Sequence, residues 1–140
     1  MTYPILAEQS VLGAIVLDAS VWAKVSAVLG HEDFYDASHR LIFPTLAALL
    51  HVDTPVDAVT MGDYFDMNCP LIDRGYPVEI ANNTPSVANV MAYAEIVKKA
   101  SIRRSTAILY RQAADALDNT QARTEKVVER VEQRLKEITG

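Results

Sequence analysis

The sequence predicts an all-α protein, with a compact helical head followed by an antiparallel helical hairpin. Apolar residues recur at spacings of three and four along most of the chain, and no segment favours a strand. A polar turn at Asp118–Ala122 separates the last two periodic segments. We therefore expect the head to span residues 1–98 and the hairpin residues 99–140.

The first helix is predicted in the run Ala7–Asp18, close behind Met1. Glu8 is expected to complement the positive N-terminal end of the helix dipole, and Gly13 to let another backbone approach closely. The apolar face of this helix consists of Val11, Leu12, Ile15 and Val16.

A short second helix is expected from Val21 to Leu29, with Ser20 as its N-cap and Gly30 at its end. The segment His31–Tyr35 is then a loop with two aromatic residues, and a third helix follows. Pro44 lies inside that helix. Because proline lacks an amide hydrogen and crowds the carbonyl four residues back, we expect a kink or a later helix start there. The apolar positions of the third helix are Leu41, Ile42, Leu46, Leu49 and Leu50.

The next helix is predicted after a turn at residues 54–57, capped by Asp57 or Thr60 and ending near Met67. Residues 68–76 contain few periodic apolar positions and are expected to form an irregular connector.

A short helical turn around Val78 to Ala81 then precedes the longest periodic segment. This segment predicts one helix from the N-cap Ser86 to Leu117. The last helix is predicted at Thr124–Ile138. Its narrow apolar stripe either packs on the neighbouring helix or forms a surface for self-association and partner binding. This predicted seam consists of Val128, Val131, Leu135 and Ile138.

Composition excludes several classes of protein. The formal net charge is −5 and the sequence pI is about 5.1, which argues against a surface that grips phosphate backbones. The single cysteine, Cys69, excludes an internal disulfide and a cysteine zinc site, as is typical of the reducing cytoplasm. No apolar run approaches the roughly 20 residues that span a bilayer, so no membrane partner is expected.

No catalytic, cofactor-binding or metal site is predicted in this chain. None of its five glycines begins a phosphate-binding loop, and His31, His39 and His51 are too scattered for a helical metal site. His39 and Arg40 follow Asp36, which suggests either an acid-base or phosphate-recognition cluster or a capped first helical turn. The capped turn is the favoured interpretation.

The chain contains one compact basic cluster, which either contacts nucleic acid or an acidic partner or forms the solvated face of the long helix. The cluster consists of Lys98, Lys99, Arg103 and Arg104.

Several blocks of the chain, in order and spacing, resemble the N-terminal domain of bacterial and phage replicative DNA helicases of the DnaB type. Together they cover most of residues 4–104. The blocks are the run at residues 7–18, Asp33-Phe34-Tyr35 with residues 39–43, residues 55–60, and residues 83–90 with 92–94 and 96–97.

The resemblance implies a helical head and hairpin that pair into dimers and form a collar on a hexameric helicase. It also implies docking of a DnaG-type primase, and a helicase loader is a further expected partner. In that family the ATP- and Mg²⁺-dependent motor and the DNA-contacting loops belong to a RecA-like domain that follows through a linker. This chain is therefore expected to hold no enzyme activity of its own, in a parent protein that works in the cytoplasm at nucleoid replication forks.

The chain also departs from the family pattern. Pro44 and Pro77 stand where helix-compatible residues are expected, and the connector is shorter, with Ile72 and Asp73 around the place of a usual glycine pair. These differences concern the geometry of the connector.

Two other functions stay open at the level of sequence. One is a stand-alone adaptor that binds a helicase, such as a loader, an inhibitor or a module like the primase C-terminal domain. A reading frame that continues past Gly140 into a Walker A motif would distinguish the helicase from the adaptor. The other is a small enzyme, which requires a concave site with convergent polar groups.

Overall fold

A computed structural model describes residues 3–140 of the chain, so the first two residues of the predicted head lie outside the described residues. Within this range the chain forms α-helices and single 3-10 turns and no β-strand, which confirms the all-α prediction. The helices are α1 Ile5–Leu17, α2 Trp22–Ser26, α3 Ala37–His51, α4 Ala58–Asn68, α5 Tyr76–Asn82, α6 Val90–Asp118 and α7 Thr124–Thr139. The 3-10 turns are Ala19–Val21 and His31–Asp33.

The chain divides into two compact units, residues up to Lys98 and Lys99–Gly140. In the first unit α1 packs on α5 and α3, and its predicted apolar face is buried except for Val16, which is partly buried. A Cβ atom on Gly13 would lie 1.8 Å from Thr84 Oγ1 and 2.5 Å from the Ile80 carbonyl oxygen. The predicted close approach of a second backbone at Gly13 is confirmed.

Two predicted N-caps were wrong. The Asp18 carboxylate accepts hydrogen bonds from the N–H and hydroxyl of Ser20, at 3.0 and 2.6 Å, so the turn begins at Asp18 and not at Ser20. The helix that follows ends at Ser26, three residues before Leu29. The long helix begins at Val90 and not after Ser86, because the N–H of Val90 first closes a tight turn onto the Val87 carbonyl, at 3.1 Å.

The two unexpected prolines are both accommodated in helices. Helix α3 begins at Ala37 and continues through Pro44, so of the two alternatives the later start was wrong and the kink stays a prediction. The carboxylate of Asp36 caps it by accepting from the N–H groups of Ser38 and His39, at 2.9 and 3.2 Å. Pro77 lies in the first turn of α5, where a missing amide hydrogen costs nothing because that group has no intrahelical acceptor.

The predicted cap of α4 is confirmed and is reciprocal. The N–H of Thr60 donates to the Asp57 carboxylate at 2.9 Å, and the N–H of Asp57 donates to the Thr60 hydroxyl at 3.1 Å. In the connector, Arg74 pairs with Asp66, and its guanidinium lies over Gly62. This ion pair joins the connector to α4.

The second unit contains residues 99–118 of α6, a turn and α7. The Asn119 side chain stabilises the turn by accepting from the N–H of Gln121 at 3.0 Å. Leu109 lies near Arg134 and Glu137, whereas Ala116, later in α6, lies near the earlier part of α7. The two helices therefore run antiparallel, as predicted.

Candidate functional site

The predicted seam of α7 is divided between the inside and the outside of the hairpin. Val131, Leu135 and Ile138 are partly buried within the unit, whereas the side chain of Val128 is 47% exposed. Val127, which was not part of the predicted seam, is partly buried beside Val131. Val131 thus shares a cleft with α6, and Val128 is the member that faces solvent.

Three large side chains of α6 are also exposed in this unit, and one of them is Ile108, at 46%. Tyr110 is 54% and Leu117 47% exposed, and their separation of seven residues places them on the same face of the helix. We call Tyr110, Leu117 and Val128 the apolar edge. Leu117 was expected only as the end of the long helix, because a stripe of two large residues on a long helix gives little signal in the sequence.

A cleft lies between α6 and α7 and has a volume of about 440 Å³. Its floor is apolar and consists of Leu109, Ala113, Ala116, Val127 and Val131, and its rim carries the cations of Arg123, Lys126 and Arg130. Gln112 and Ala122 complete the lining, so no carboxylate lines this cleft in the described part of the chain. We call it the hairpin cleft.

None of the three apolar-edge residues lines the hairpin cleft. Residues three or four apart lie on the same side of an α-helix. Ala113, which lies between Tyr110 and Leu117 at these spacings, and Val131, three residues after Val128, do line the cleft. The apolar edge is therefore next to the cleft on each helix.

The two units of the chain carry formal charges of opposite sign. Residues 1–98 contain four of the thirteen basic and twelve of the eighteen acidic residues, for a formal charge of −8. Residues 99–140 contain the other nine basic and six acidic residues, for a formal charge of +3. The expectation that the chain lacks a cationic surface, drawn from its overall charge, therefore does not apply to the hairpin.

The predicted basic cluster does not act as one free patch. Lys98 Nζ donates to both carboxylate oxygens of Asp33, at 3.3 and 3.4 Å, and the Asp33 side chain is buried in the head. Asp33 also accepts from the N–H of Gly30 at 2.8 Å. Lys98 thus forms an ion pair within the head, whereas Arg103 is exposed and Arg104 partly buried. The binding role of the cluster stays a prediction.

A buried polar network lies in the head and gives Glu8 a role beyond the expected one. Glu8 lies in the first turn of α1, as the dipole argument requires. Its fully buried carboxylate also accepts from the N–H groups of Tyr35 and Asp36, at 2.6 and 3.2 Å, and lies 2.8 Å from His39 Nδ1. Glu8 therefore also stabilises the segment that leads into α3. His39 is fully buried, which confirms its structural interpretation over an acid-base role.

Tyr76 completes this network at the start of α5. Its hydroxyl lies 2.7 Å from His39 Nε2 and accepts from Gln9 Nε2 at 3.1 Å. Both hydrogen bonds of the His39 ring form if the proton is on Nδ1. In this tautomer the Nδ1–H group donates to the Glu8 carboxylate, and Nε2 accepts from the Tyr76 hydroxyl.

The phenol of Tyr76 is expected to ionise above the ordinary tyrosine value of 10.0. Burial raises its pKa, and the nearby carboxylates of Asp36, Glu79 and Glu8 add to this effect against the Gln9 hydrogen bond. Stability from the neutral phenol is therefore present below about pH 10 and is lost as the pH rises through the folded-state pKa. Ultraviolet titration should show a late ionisation that is missing from Tyr76→Phe, and identical curves would contradict this assignment.

The described residues hold neither a metal-binding cluster nor a single helix that could span a membrane. No group of three or more His, Cys, Asp or Glu side chains there could hold a metal ion. No single helix in that range is long and apolar enough to cross a membrane, and only the bent pair Ile5–Leu17 with Ala19–Ser26 reaches that length and composition together.

Most of this chain is similar in sequence to known helicases. The family profile described as "DnaB-like helicase N terminal domain" matches residues 1–99. The chain is similar to the replicative DNA helicase DnaB of Buchnera aphidicola subsp. Baizongia pistaciae, with 37% identity over 101 residues, and to the replicative DNA helicase DnaC of Bacillus subtilis, with 40% identity over 102 residues. Each match covers 70% of this chain and 22% of the relative, so the chain spans about a fifth of their length.

Solved structures agree with these matches. The fold is similar to the crystal structure of the N-terminal domain of DnaB helicase from Mycobacterium tuberculosis, with a TM-score of 0.85 and 25% identity over 95% of this chain and 96% of that one. A structure of a DnaB-like replicative helicase and its interactions with primase matches with a TM-score of 0.75 and 22% identity, over 95% of this chain and 31% of that one. The second likeness concerns the fold alone.

Proposed function

Because the chain belongs to the family of DnaB-like helicase N-terminal domains, we propose that it assembles the collar of a hexameric replicative DNA helicase and docks its partners. Its own contribution is association, in a parent protein that acts in the cytoplasm at replication forks. The parent unwinds DNA with ATP and Mg²⁺ in a motor domain that these 140 residues do not contain.

The apolar edge is the observation that carries this proposal. Tyr110, Leu117 and Val128 are large exposed side chains of a two-helix unit, and burying them removes apolar surface from water at roughly 25 cal/mol per Å². A second copy presents the same edge, so an isologous contact buries both edges at once. Self-association through the hairpin is the simplest use of this surface.

The chain is expected to form dimers or higher oligomers at high micromolar concentration, as measured by light scattering. Val128→Glu combined with Tyr110→Glu should weaken the association at least about tenfold, because two charges would be buried without partners. Val59→Glu is the matched control, since Val59 is 73% exposed in the head. A monomeric mass for the unmodified chain, or equal loss in the control, would contradict the proposal.

Docking of a partner is the second part of the proposed function. The resemblance of the sequence blocks implies a DnaG-type primase and a loader as partners. One of the similar solved structures is described as that of a DnaB-like replicative helicase and its interactions with primase. The hairpin supplies a surface for such a partner because its formal charge of +3 is opposite to that of the head.

A further inference from the structure

We propose that the hairpin cleft is a docking groove for an acidic amphipathic helix of a partner protein. This inference rests on the docking function proposed above and assigns it a place and a chemistry.

The cleft has the form that such a helix requires. An amphipathic helix binds in a groove by placing side chains spaced three and four apart on an apolar surface. Val127 and Val131 of α7 supply that surface together with Leu109 of α6, and the small side chains of Ala113 and Ala116 leave room above the floor. The partner is therefore expected to present aliphatic residues to the floor.

The rim of the cleft determines the charge of the partner. Arg123 pairs with Glu125 at 2.7 Å, and Lys126 with Glu129 at 3.7 Å, and all four side chains are about two-thirds exposed or more. Exposed pairs of this kind stabilise a protein by about 1 kcal/mol or less. A carboxylate of a docked helix can therefore take the place of Glu125 or Glu129 as the partner of the cation.

Arg130 directly follows Glu129 along α7 and is the third cation of the rim. Within residues 3–140 it forms no ion pair, and it lines the cleft together with Gln112. Its planar guanidinium can bind a carboxylate through two parallel hydrogen bonds. Arg130 is therefore the side chain on which recognition of an acidic helix should depend most.

Two other occupants fit the cleft less well. A second copy would associate through the apolar edge, none of whose residues lines the cleft. A single-stranded nucleic acid requires aromatic side chains on which its bases stack, and none of the lining residues is aromatic. The combination of aliphatic floor and cationic rim favours an acidic helix.

The test uses a fluorescein-labelled model peptide of about 20 residues, with leucines three and four apart and glutamates elsewhere. Fluorescence anisotropy should show saturable binding that weakens as salt is raised, because salt screens the rim cations. Arg130→Glu should weaken binding about tenfold. The control Lys136→Glu makes the same charge change on an exposed position of α7 outside the cleft and should change binding less than about twofold.

Several other outcomes overturn the proposal. Absent binding, or equal loss in both variants, would mean that the cleft does not recognise the helix. An oligonucleotide that displaces the peptide in an Arg130-dependent way would assign the cleft to nucleic acid. A changed oligomer mass in Arg130→Glu would assign it to a second copy. If the chain oligomerises but does not bind the peptide, this inference alone is refuted. If the chain is monomeric but binds the peptide, only the proposed self-association is refuted.

Discussion

Replacing Glu8 with alanine should lower the free energy of unfolding by about 4 kcal/mol, measured by urea denaturation with circular dichroism. The Glu8 carboxylate is fully buried and satisfies the ring of His39 and the N–H groups of Tyr35 and Asp36. Alanine leaves those three donors without an acceptor in a site that excludes water, and each unsatisfied group costs about 1 to 3 kcal/mol.

Glu8→Gln separates the loss of hydrogen bonds from the loss of volume. Its amide oxygen can still accept from one N–H, but its NH₂ group faces the remaining donors, so a loss of about 2 kcal/mol is expected. Glu32→Ala is the control, because Glu32 forms only an exposed pair with His31, and it should stay within about 0.5 kcal/mol. If Glu8→Ala unfolds at the same urea concentration as Glu32→Ala, the network does not stabilise the head.

Replacing Gly13 with alanine should cost about 3 kcal/mol of unfolding free energy, which is large for a single methyl group. The added Cβ would lie 1.8 Å from Thr84 Oγ1 and 2.5 Å from the carbonyl oxygen of Ile80. The hydroxyl can rotate away, but the carbonyl belongs to the backbone of α5, so α1 and α5 must separate. Thermal unfolding followed by circular dichroism gives the measurement.

Gly75→Ala provides the matched control for this substitution. Gly75 has φ −79° and ψ −13°, which any residue adopts, and a Cβ there would meet only Asp73 Oδ1 at an ordinary 3.4 Å. Its stability should therefore stay within about 0.5 kcal/mol of the unmodified protein. Thr84→Ala in the Gly13→Ala background should recover only part of the loss, and full recovery would show that the hydroxyl alone was the obstacle.

The sequence predicted features that depend on neighbouring residues. The reciprocal cap of Asp57 and Thr60 joins residues three apart, and the periodic stripe of α7 belongs to one helix, so both could be found by spacing. The caps at Ser20 and Ser86 were wrong because Asp18 caps the turn from two residues earlier and a tight turn at residues 87–90 precedes the long helix, and propensity alone does not rank such alternatives.

Features that depend on distant residues could not be predicted. Glu8 and His39 are 31 residues apart and meet only when α1 packs on α3. Periodicity likewise showed that Val128 and Val131 are close on α7, but not which of them α6 covers. The hairpin cleft arises from two helices together, so neither helix contains its signal.

The carboxylate of Glu8 also has a consequence for how the head folds. Because it satisfies the amides of Tyr35 and Asp36, 27 and 28 residues away, the segment that leads into α3 acquires its acceptors only after α1 has docked. Such a long-range contact is formed late because the intervening chain must first close a loop. The cap that Asp36 provides for α3 can form locally, whereas the position of the segment before it is expected to become fixed in the same cooperative step in which α1 packs on α3.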